Sequence, residues 1–165
     1  MKKALVIIDP QKGFETKHTE GIASRIKDYV AKNSNNYDVV LFTQHKNHSD
    51  SYLAKNFEWY GFMDGREYDF MDELSDLTAQ YPVFEKDTYG IFTTPKLENY
   101  LKEHEITNID IAGIDTENCV LTFARDAFDR GYIVTVLKDL CRSHSAPHLH
   151  EAALEIIEEN IGEVR

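Results

Sequence analysis

The chain of 165 residues has little cysteine, proline or glycine, with 2, 4 and 8 of these residues, and it has no long apolar run. Its longest apolar stretches, such as Ala4–Ile8, are far too short to cross a bilayer. The two N-terminal lysines suggest a signal peptide, but the apolar stretch stops at Asp9 and no small-residue cleavage site follows. We therefore predict a first strand, a cytoplasmic location, and two reduced thiols at Cys119 and Cys141.

Positive charge is also scarce, because 18 Lys and Arg residues face 29 Asp and Glu residues, for a formal net charge of -11. Such a surface repels phosphate backbones and anionic lipid, so neither nucleic acid nor a membrane is expected as a partner. At 42% hydrophobic residues, the chain has enough apolar material for one core, and we predict a single domain over residues 1–165.

Apolar, β-branched runs alternate with segments of helical period, a pattern typical of parallel strands joined by crossover helices. The predicted fold class is α/β, a three-layer α/β/α sandwich around a mainly parallel, Rossmann-like sheet. The predicted strands are Ala4–Ile8, Val39–Thr43, Pro82–Glu85, Ile109–Ala112, Ile133–Leu137 and a short Glu163–Val164. The predicted helices are Gly21–Lys32, Thr94–Glu103, Val120–Arg130 and Pro147–Glu159.

The segment His45–Glu73 has no steady period and mixes aromatic residues with His, Asn, Asp and Gly. It is predicted to be a long loop with short helical pieces near the strand ends. Irregular loops of this length in a compact domain are often functional.

Several predicted strands end in residues that can carry chemistry, among them Asp9, Lys86 and the turn that leads to Cys119. In open parallel sheets, ligands bind beyond the carboxyl ends of the strands. A helix N-terminus stabilises the thiolate form of a cysteine that lies there. A nearby carboxylate can accept the proton of the thiol and later deliver it to a leaving amine, while a nearby cation favours the thiolate. Taken singly, each residue also has an ordinary structural interpretation, as a core thiol, a loop cap and a solvated lysine.

Three motifs in this order, IIDPQKGF at 7–14, FEKDTYGIF at 84–92 and GIDTENCV at 113–120, resemble the isochorismatase-like cysteine hydrolases. That family includes nicotinamidases and N-carbamoylsarcosine amidohydrolases. The resemblance covers nearly the whole chain and matches the family's catalytic residues to Asp9, Lys86 and Cys119.

The resemblance also implies a cis peptide between Ile114 and Asp115, with backbone N–H groups of Asp115 and Cys119 as oxyanion donors. It further implies that Phe14, Trp59 and Gln11 face the substrate, and that the protein forms a homo-oligomer, a dimer or tetramer. No organic cofactor is implied.

Nicotinamidases in this family hold a divalent metal through an Asp-x-His pair and a later His after the second strand. Here the segment reads FTQHKNHSD, so Gln44 replaces the expected aspartate and the spacing is contracted. His45, His48 and Asp50 are capable of metal binding. Because of these departures, we predict no metal and name these three residues as the candidates if one binds.

The sequence therefore predicts a hydrolase that cleaves a small amide or carbamoyl substrate through a thioester on Cys119. Two alternatives stay open, a metal-dependent nicotinamidase and a thiol sensor or inactive homologue. A nucleotide-binding domain is disfavoured because no glycine-rich loop follows any strand. An aspartyl phosphatase is disfavoured because Asp9 has no second aspartate two residues later.

The cluster His144, His148 and His150 is expected at the surface, and Cys141 is expected in the core.

Overall fold

The computed structural model describes all residues, 1–165, as one six-stranded sheet with helices on both faces. In chain order the elements are β1 (Lys2–Ile8), α1 (Ile22–Asn33), β2 (Val39–His45), α2 (Tyr52–Phe57), α3 (Gly65–Tyr68), α4 (Ser75–Gln80), β3 (Val83–Lys86), α5 (Lys96–Glu103), β4 (Ile106–Ile114), α6 (Leu121–Asp129), β5 (Ile133–Arg142), α7 (Pro147–Asn160) and β6 (Glu163–Val164). Short 3₁₀ turns cover Lys12–Phe14, Ser34–Asn36 and Asp72–Leu74. None of the helices combines the length and apolar character that crossing a bilayer requires.

All neighbouring strands run parallel, in the order β3-β2-β1-β4-β5-β6. The central strands β1 and β2 are buried almost throughout, which explains why their sequences are apolar at consecutive positions rather than alternating. The chain leaves β1 toward one edge of the sheet and returns to the other side of β1 as β4. The order of strands therefore reverses between β1 and β4, which is where parallel sheets form ligand crevices.

Two apolar layers hold the helices against the sheet, as expected for a three-layer fold. One layer joins α5, α6 and α7 to the sheet through residues that include Leu97, Leu101, Phe123, Leu154 and Ile157. The other joins α1 and the segment after α2 to the opposite face through residues that include Ile22, Ile26, Val30, Phe62 and Leu74.

The predicted architecture is confirmed, and its errors are local. Strand β5 continues past the predicted end at Leu137 to Arg142. Lys138 and Asp139 interrupt its apolar pattern, and its pairing with β4 shifts register here before it resumes at Cys141. The residues Thr116–Val120, assigned in part to a helix by sequence, form a π-helical turn, and α6 begins only at Leu121. The segment His45–Glu73 contains the short helices α2 and α3, and helix α4 after it was not predicted.

Gly113 is required where β4 passes closest to β1. It pairs with Ile8 and has a φ of +124°, a conformation that side chains rarely adopt. A Cβ atom on Gly113 would lie 2.1 Å from the carbonyl oxygen of Ile8. Any larger residue would push apart the two strands that deliver Asp9 and the Cys119 turn.

Replacing Gly113 with alanine should therefore destabilise the fold far more than the same change at Gly131. Gly131 also has a positive φ, of +86°, but a Cβ there meets nothing within 4 Å. We expect Gly131→Ala to cost about 1–2 kcal/mol of unfolding free energy from backbone strain alone. Gly113→Ala should cost more than about 4 kcal/mol because it adds a backbone overlap. Urea unfolding measures both, and equal losses would contradict this account.

Candidate active site

Three side chains that come from different strand ends meet at the carboxyl edge of the sheet. Asp9 follows β1, Lys86 ends β3, and Cys119 lies in the turn after β4. The Nζ atom of Lys86 lies 2.7 Å from Oδ2 of Asp9 and 3.3 Å from Sγ of Cys119. The side chains of Lys86 and Asp9 are only 3% and 0% exposed. The structure thus brings the three sequence-predicted residues together in a site with almost no solvent contact.

Neighbouring groups fix this ion pair from both sides. Thr43 donates its hydroxyl proton to Oδ1 of Asp9 at 2.6 Å, and Lys86 donates to the carbonyl oxygen of Thr88 at 3.0 Å. The backbone of Asp9 has a φ of +46°, in the left-handed region, which costs a non-glycine residue about 1–3 kcal/mol. Such strain persists only where the surroundings enforce it. Thr43 was missed at the sequence level, although a threonine within the apolar run of β2 was the available clue.

Burial decides the protonation of the resting sulfur. Burial raises the pKa of the Cys119 thiol to about 12; the charge on Lys86 opposes this shift and that on Asp9 adds to it. Burial also acts to lower the pKa of Lys86, but the charge on Asp9 and the contacts with Asp9 and Cys119 outweigh it and hold the pKa above the ordinary value. The charge on Lys86 favours the thiolate, as expected from sequence, but burial has the larger effect on the pKa of the sulfur. A carboxylate, an ammonium group and a neutral thiol give the buried site zero net charge.

The turn that carries Cys119 is tied to the start of α7 by three side-chain contacts. Asp115 accepts hydrogen bonds from the backbone N–H of His144 at 2.7 Å, and its Oδ2 lies 2.6 Å from Nδ1 of His144. The peptide bond between Ile114 and Asp115 is cis. The other two contacts join Glu117 to the Ser143 hydroxyl at 2.6 Å and the Thr116 hydroxyl to Nδ1 of His150 at 2.8 Å.

A cavity of about 440 Å³ opens above the sulfur of Cys119. Its walls are mainly aromatic and apolar, with a few polar groups between them. The lining residues include Phe14, Leu53, Phe57, Trp59, Phe62, Tyr89, His45, Glu67, Asp115, Asn118, His144 and Cys119. Phe14 and Trp59, expected to face a substrate, therefore line the space next to the sulfur of Cys119.

Gln11 has a different position from the one expected, because it does not line the cavity. Its side chain is fully buried and its amide bonds to backbone groups. Its Oε1 accepts from the N–H of His45 at 2.7 Å, and its Nε2 donates to the carbonyl oxygens of His45 at 2.9 Å and Tyr68 at 2.7 Å. Gln11 thus holds the end of β2 in place instead of facing the cavity.

Asn47 shapes the aromatic wall of the cavity. Its side-chain amide donates a hydrogen bond to the carbonyl oxygen of Trp59 at 2.9 Å. Its backbone N–H donates to the carbonyl oxygen of Phe62 at 3.1 Å. The Asn47 Oδ1 atom also accepts hydrogen bonds from the backbone of His48 and the hydroxyl of Ser51. Asn47 therefore connects three parts of the irregular segment after β2, and sequence analysis did not identify it.

The metal candidates do not converge. Nε2 of His48 lies 3.0 Å from Asp87, and Asp50 forms an ion pair with Lys55 at 2.6 Å. The ring of His45 lies instead beside Trp59 and Phe62, at centroid distances of 5.8 and 6.0 Å. No group of three or more His, Cys, Asp or Glu side chains in the chain is arranged to hold a metal ion. The residues present do not fit the metal site that the resemblance to nicotinamidases suggests.

Two of the three histidines expected at the surface belong to the site. His144 lines the cavity and its ring contacts Phe14, while His150 is buried against the Cys119 turn. The hydrogen bond to Asp115 raises the pKa of His144 despite partial burial, whereas burial lowers the pKa of His150. The positions of His144 and His150 depend on contacts with residues distant in sequence, so the local spacing of the histidines could not predict them.

Cys141 is a buried free thiol, as expected.

Removing one partner of the buried ion pair should destabilise the fold more than removing both charges. Lys86→Met leaves the Asp9 carboxylate buried without a counter-charge, which we expect to cost about 3–5 kcal/mol. The double variant Lys86→Met with Asp9→Asn should recover most of that loss, because Thr43 can still donate to the asparagine oxygen. Urea unfolding of the two variants measures the difference, and a double variant less stable than Lys86→Met would contradict the interpretation.

The pH dependence of stability should contain a contribution from His45. Burial lowers the pKa of His45 to about 4, and the charge on Lys86 acts in the same direction, while the unfolded chain keeps the ordinary value of 6.5. Between these values the unfolded state binds more protons, so stability falls as the pH falls. The loss from pH 7 to about pH 5 is expected to be on the order of 2 kcal/mol.

The matched comparison is His45→Leu, which should lose less stability than the unchanged protein over the same pH interval. His144, whose raised pKa acts in the opposite sense, is present in both proteins and cancels in the difference. Chemical unfolding at the two pH values gives the result. Identical pH dependence in both proteins would contradict the assignment of a neutral His45.

Comparison with known proteins agrees with this geometry. The model of the isochorismatase domain matches residues 3–165. The Bacillus subtilis nicotinamidase PncA superposes with a TM-score of 0.89 at 26% identity, with 99% of each chain covered. An N-carbamoylsarcosine amidase from Thermoplasma acidophilum, at 20% identity, shares the fold with a TM-score of 0.86, covering 100% of this chain and 96% of that chain.

Among curated sequences, a ureidoacrylate amidohydrolase from Cronobacter sakazakii is 35% identical over 99 residues, which are 59% of this chain. The match spans only 42% of that relative's length. Nicotinamidase 3 of Arabidopsis thaliana is 28% identical over 120 residues, covering 70% of this chain and 60% of the relative. The family match over nearly the whole length is decisive, and the chain belongs to the isochorismatase family.

Proposed function

We propose that the protein is an amidohydrolase that cleaves a C–N bond in a small amide or carbamoyl compound, with Cys119 as nucleophile. The observation that carries this proposal is the contact of Lys86 with both Asp9 and Cys119 at the base of an aromatic cavity. A thiol, a carboxylate and a cation within contact distance are the groups that thioester chemistry requires.

Attack begins with transfer of the thiol proton from Cys119 to Asp9. Lys86 contacts both side chains, which places the Asp9 carboxylate beside the sulfur. The transfer turns a carboxylate and a thiol into a carboxylic acid and a thiolate, so the net charge of the buried site stays at zero. Lys86 stays charged throughout and stabilises the anion on whichever partner holds it. The sulfur then attacks the carbonyl carbon of the substrate.

The tetrahedral intermediate places negative charge on the former carbonyl oxygen. Backbone N–H groups of Asp115 and Cys119 are the proposed donors to this oxyanion, and such preorganised donors are usually a large part of catalysis. As the C–N bond breaks, Asp9 returns its proton to the departing nitrogen. Water then attacks the thioester while Asp9 accepts one of its protons, and the sulfur leaves and regains a proton.

The names of relatives support this reaction class. The curated matches include a ureidoacrylate amidohydrolase and a nicotinamidase, and a nicotinamidase structure superposes over nearly the full chain. These names share hydrolysis of a bond between a carbonyl carbon and nitrogen, while their substrates differ. The relatives therefore support the class of reaction and not a particular substrate.

The two alternative functions have less support. A metal-dependent nicotinamidase would need ligands that converge, and His45, His48 and Asp50 have separate partners or neighbours. A thiol sensor would need an accessible thiolate at rest, because the thiolate is the species that oxidises. Cys119 is instead buried, and burial raises the pKa of its thiol, which disfavours a thiolate at rest.

Substituting Cys119 with alanine should abolish release of ammonia or amine from every amide that the protein cleaves. Loss of a covalent nucleophile removes the intermediate itself, so we expect a decrease of at least about 10³-fold in kcat/KM. The screen uses small amides, ureas and carbamoyl compounds, each assayed with and without chelator.

Cys141→Ala is the matched control, because Cys141 is the other buried free thiol and its pKa is likewise raised to about 12. This variant should keep its activity. Full turnover by Cys119→Ala, or equal losses in the two variants, would overturn the proposed function.

A further inference from the structure

A second cavity, of about 490 Å³, lies between the end of β5 and one side of α7. It shares no lining residue with the cavity above Cys119, and its walls are almost entirely polar and charged. The lining residues are His18, Lys138, Asp139, Arg142, Ser143, Pro147, His150, Glu151 and Leu154. The proposed hydrolysis uses none of these side chains, so the cavity needs a separate explanation.

His150 offers a hydrogen-bond donor to a ligand in this cavity. The residue is only 7% exposed, and its Nδ1 atom lies 2.8 Å from the hydroxyl of the fully buried Thr116. That hydroxyl has no other acceptor, so it donates to Nδ1 and the proton of the neutral ring is on Nε2. Nε2 has no partner in the protein and is not sealed from solvent. A ring that is nine-tenths buried therefore keeps one N–H unpaired at this cavity.

Arg142 adds a positive charge that no carboxylate of the protein neutralises by direct contact. Its Nη1 atom donates to the carbonyl oxygens of Lys138 at 3.1 Å and Cys141 at 2.6 Å, while Nε and Nη2 have no partner in the protein. Burial and the nearby charge of Arg25 lower the pKa of the guanidinium group. An arginine without an ion pair is notable here because acidic residues outnumber basic ones by 29 to 18.

Two carboxylates, those of Asp139 and Glu151, also line the cavity. Both residues are exposed, whereas Arg142 is half-buried and His150 is buried. Water and salt screen exposed charges more strongly than buried ones. The less exposed polar groups, a guanidinium and an imidazole N–H, are donors, so the ligand they match is an anion.

A phosphate group fits these donors better than a carboxylate does. The planar guanidinium binds two oxygen atoms of either anion side by side. A tetrahedral phosphate has further oxygen atoms that point in other directions. Those atoms can accept from Nε2 of His150 and from the ammonium group of Lys138, which come from α7 and β5.

We propose that this cavity is a second ligand site, which binds a phosphate group, either as the free ion or as part of a small phosphate ester. The site is connected to the turn that carries Cys119, because His150 contacts Thr116 and Ser143 contacts Glu117. A phosphate oxygen that accepts from Nε2 fixes the form of the ring to which Thr116 donates. Occupancy of the site thus stabilises the turn from behind, without entering the cavity above the sulfur.

Isothermal titration calorimetry of the full chain with inorganic phosphate and with glycerol 3-phosphate, at constant ionic strength, tests the site. At least one of the two should bind, and tighter binding of the ester would identify a phosphorylated compound as the ligand. Arg142→Gln should weaken binding about tenfold, because it removes a charged hydrogen bond. Lys138→Gln should weaken it about threefold, because that ammonium group is exposed.

Arg125→Gln is the matched control, because Arg125 is an exposed arginine that does not line the cavity. Its affinity for phosphate should equal that of the unchanged protein. The Lys138 side chain is exposed and lines the cavity, so Lys138→Gln keeps the comparison valid if Arg142→Gln does not fold.

Nitrogen NMR of the histidine rings separates a built site from general attraction to positive charge. Phosphate should shift the Nε2 signal of His150, identified by its loss in His150→Gln. The signals of His104, whose ring lies 2.8 Å from the carbonyl oxygen of Tyr100, should not move. The proposal is overturned if neither ligand binds, if Arg125→Gln weakens binding as much as the cavity variants do, or if the His150 signal does not respond.

Discussion

The ion pair between Asp9 and Lys86 is the interaction on which the rest of the site depends. Two charged side chains with almost no solvent contact lie 2.7 Å apart, and each would be strongly disfavoured alone. In the proposed mechanism, the pair gives Cys119 a proton acceptor and a counter-charge at the same point. Because the three groups sum to zero charge, a proton can move between sulfur and carboxylate without creating a net charge in the interior. The chemistry follows from this balance.

The sheet delivers the pair through its strand order. Asp9 and the Cys119 turn follow the adjacent strands β1 and β4, where the order reverses, and Lys86 enters from the edge strand β3. Gly113 permits the close approach of β1 and β4, and the turn is secured by Ser143 and His144, which precede α7, and by His150 in its first turn. Residues that never touch the substrate thus determine how closely the reactive side chains approach one another.

Sequence patterns predicted what is local or carried by a motif. The strand predictions correspond to the observed strands, and the three motifs named Asp9, Lys86 and Cys119, which meet in the structure. Patterns could not predict contacts between distant segments. Gln11 carries the motif of a substrate residue but bonds to the backbone of His45, and His144 looks like a surface residue until Asp115 reaches it. A helix terminus that stabilises a thiolate can be predicted from sequence, whereas the complete burial that raises the pKa of Cys119 cannot.

The most direct test of the account is the protonation state of Cys119 in the free protein. Ultraviolet absorbance of the thiolate, taken as the difference between the unchanged protein and Cys119→Ala, reports that state across neutral and mildly alkaline pH. The account predicts no thiolate absorbance over this range, because burial keeps the resting sulfur protonated. A full thiolate signal at neutral pH would contradict it, because the site would then hold a resting anion rather than a thiol whose proton moves to Asp9.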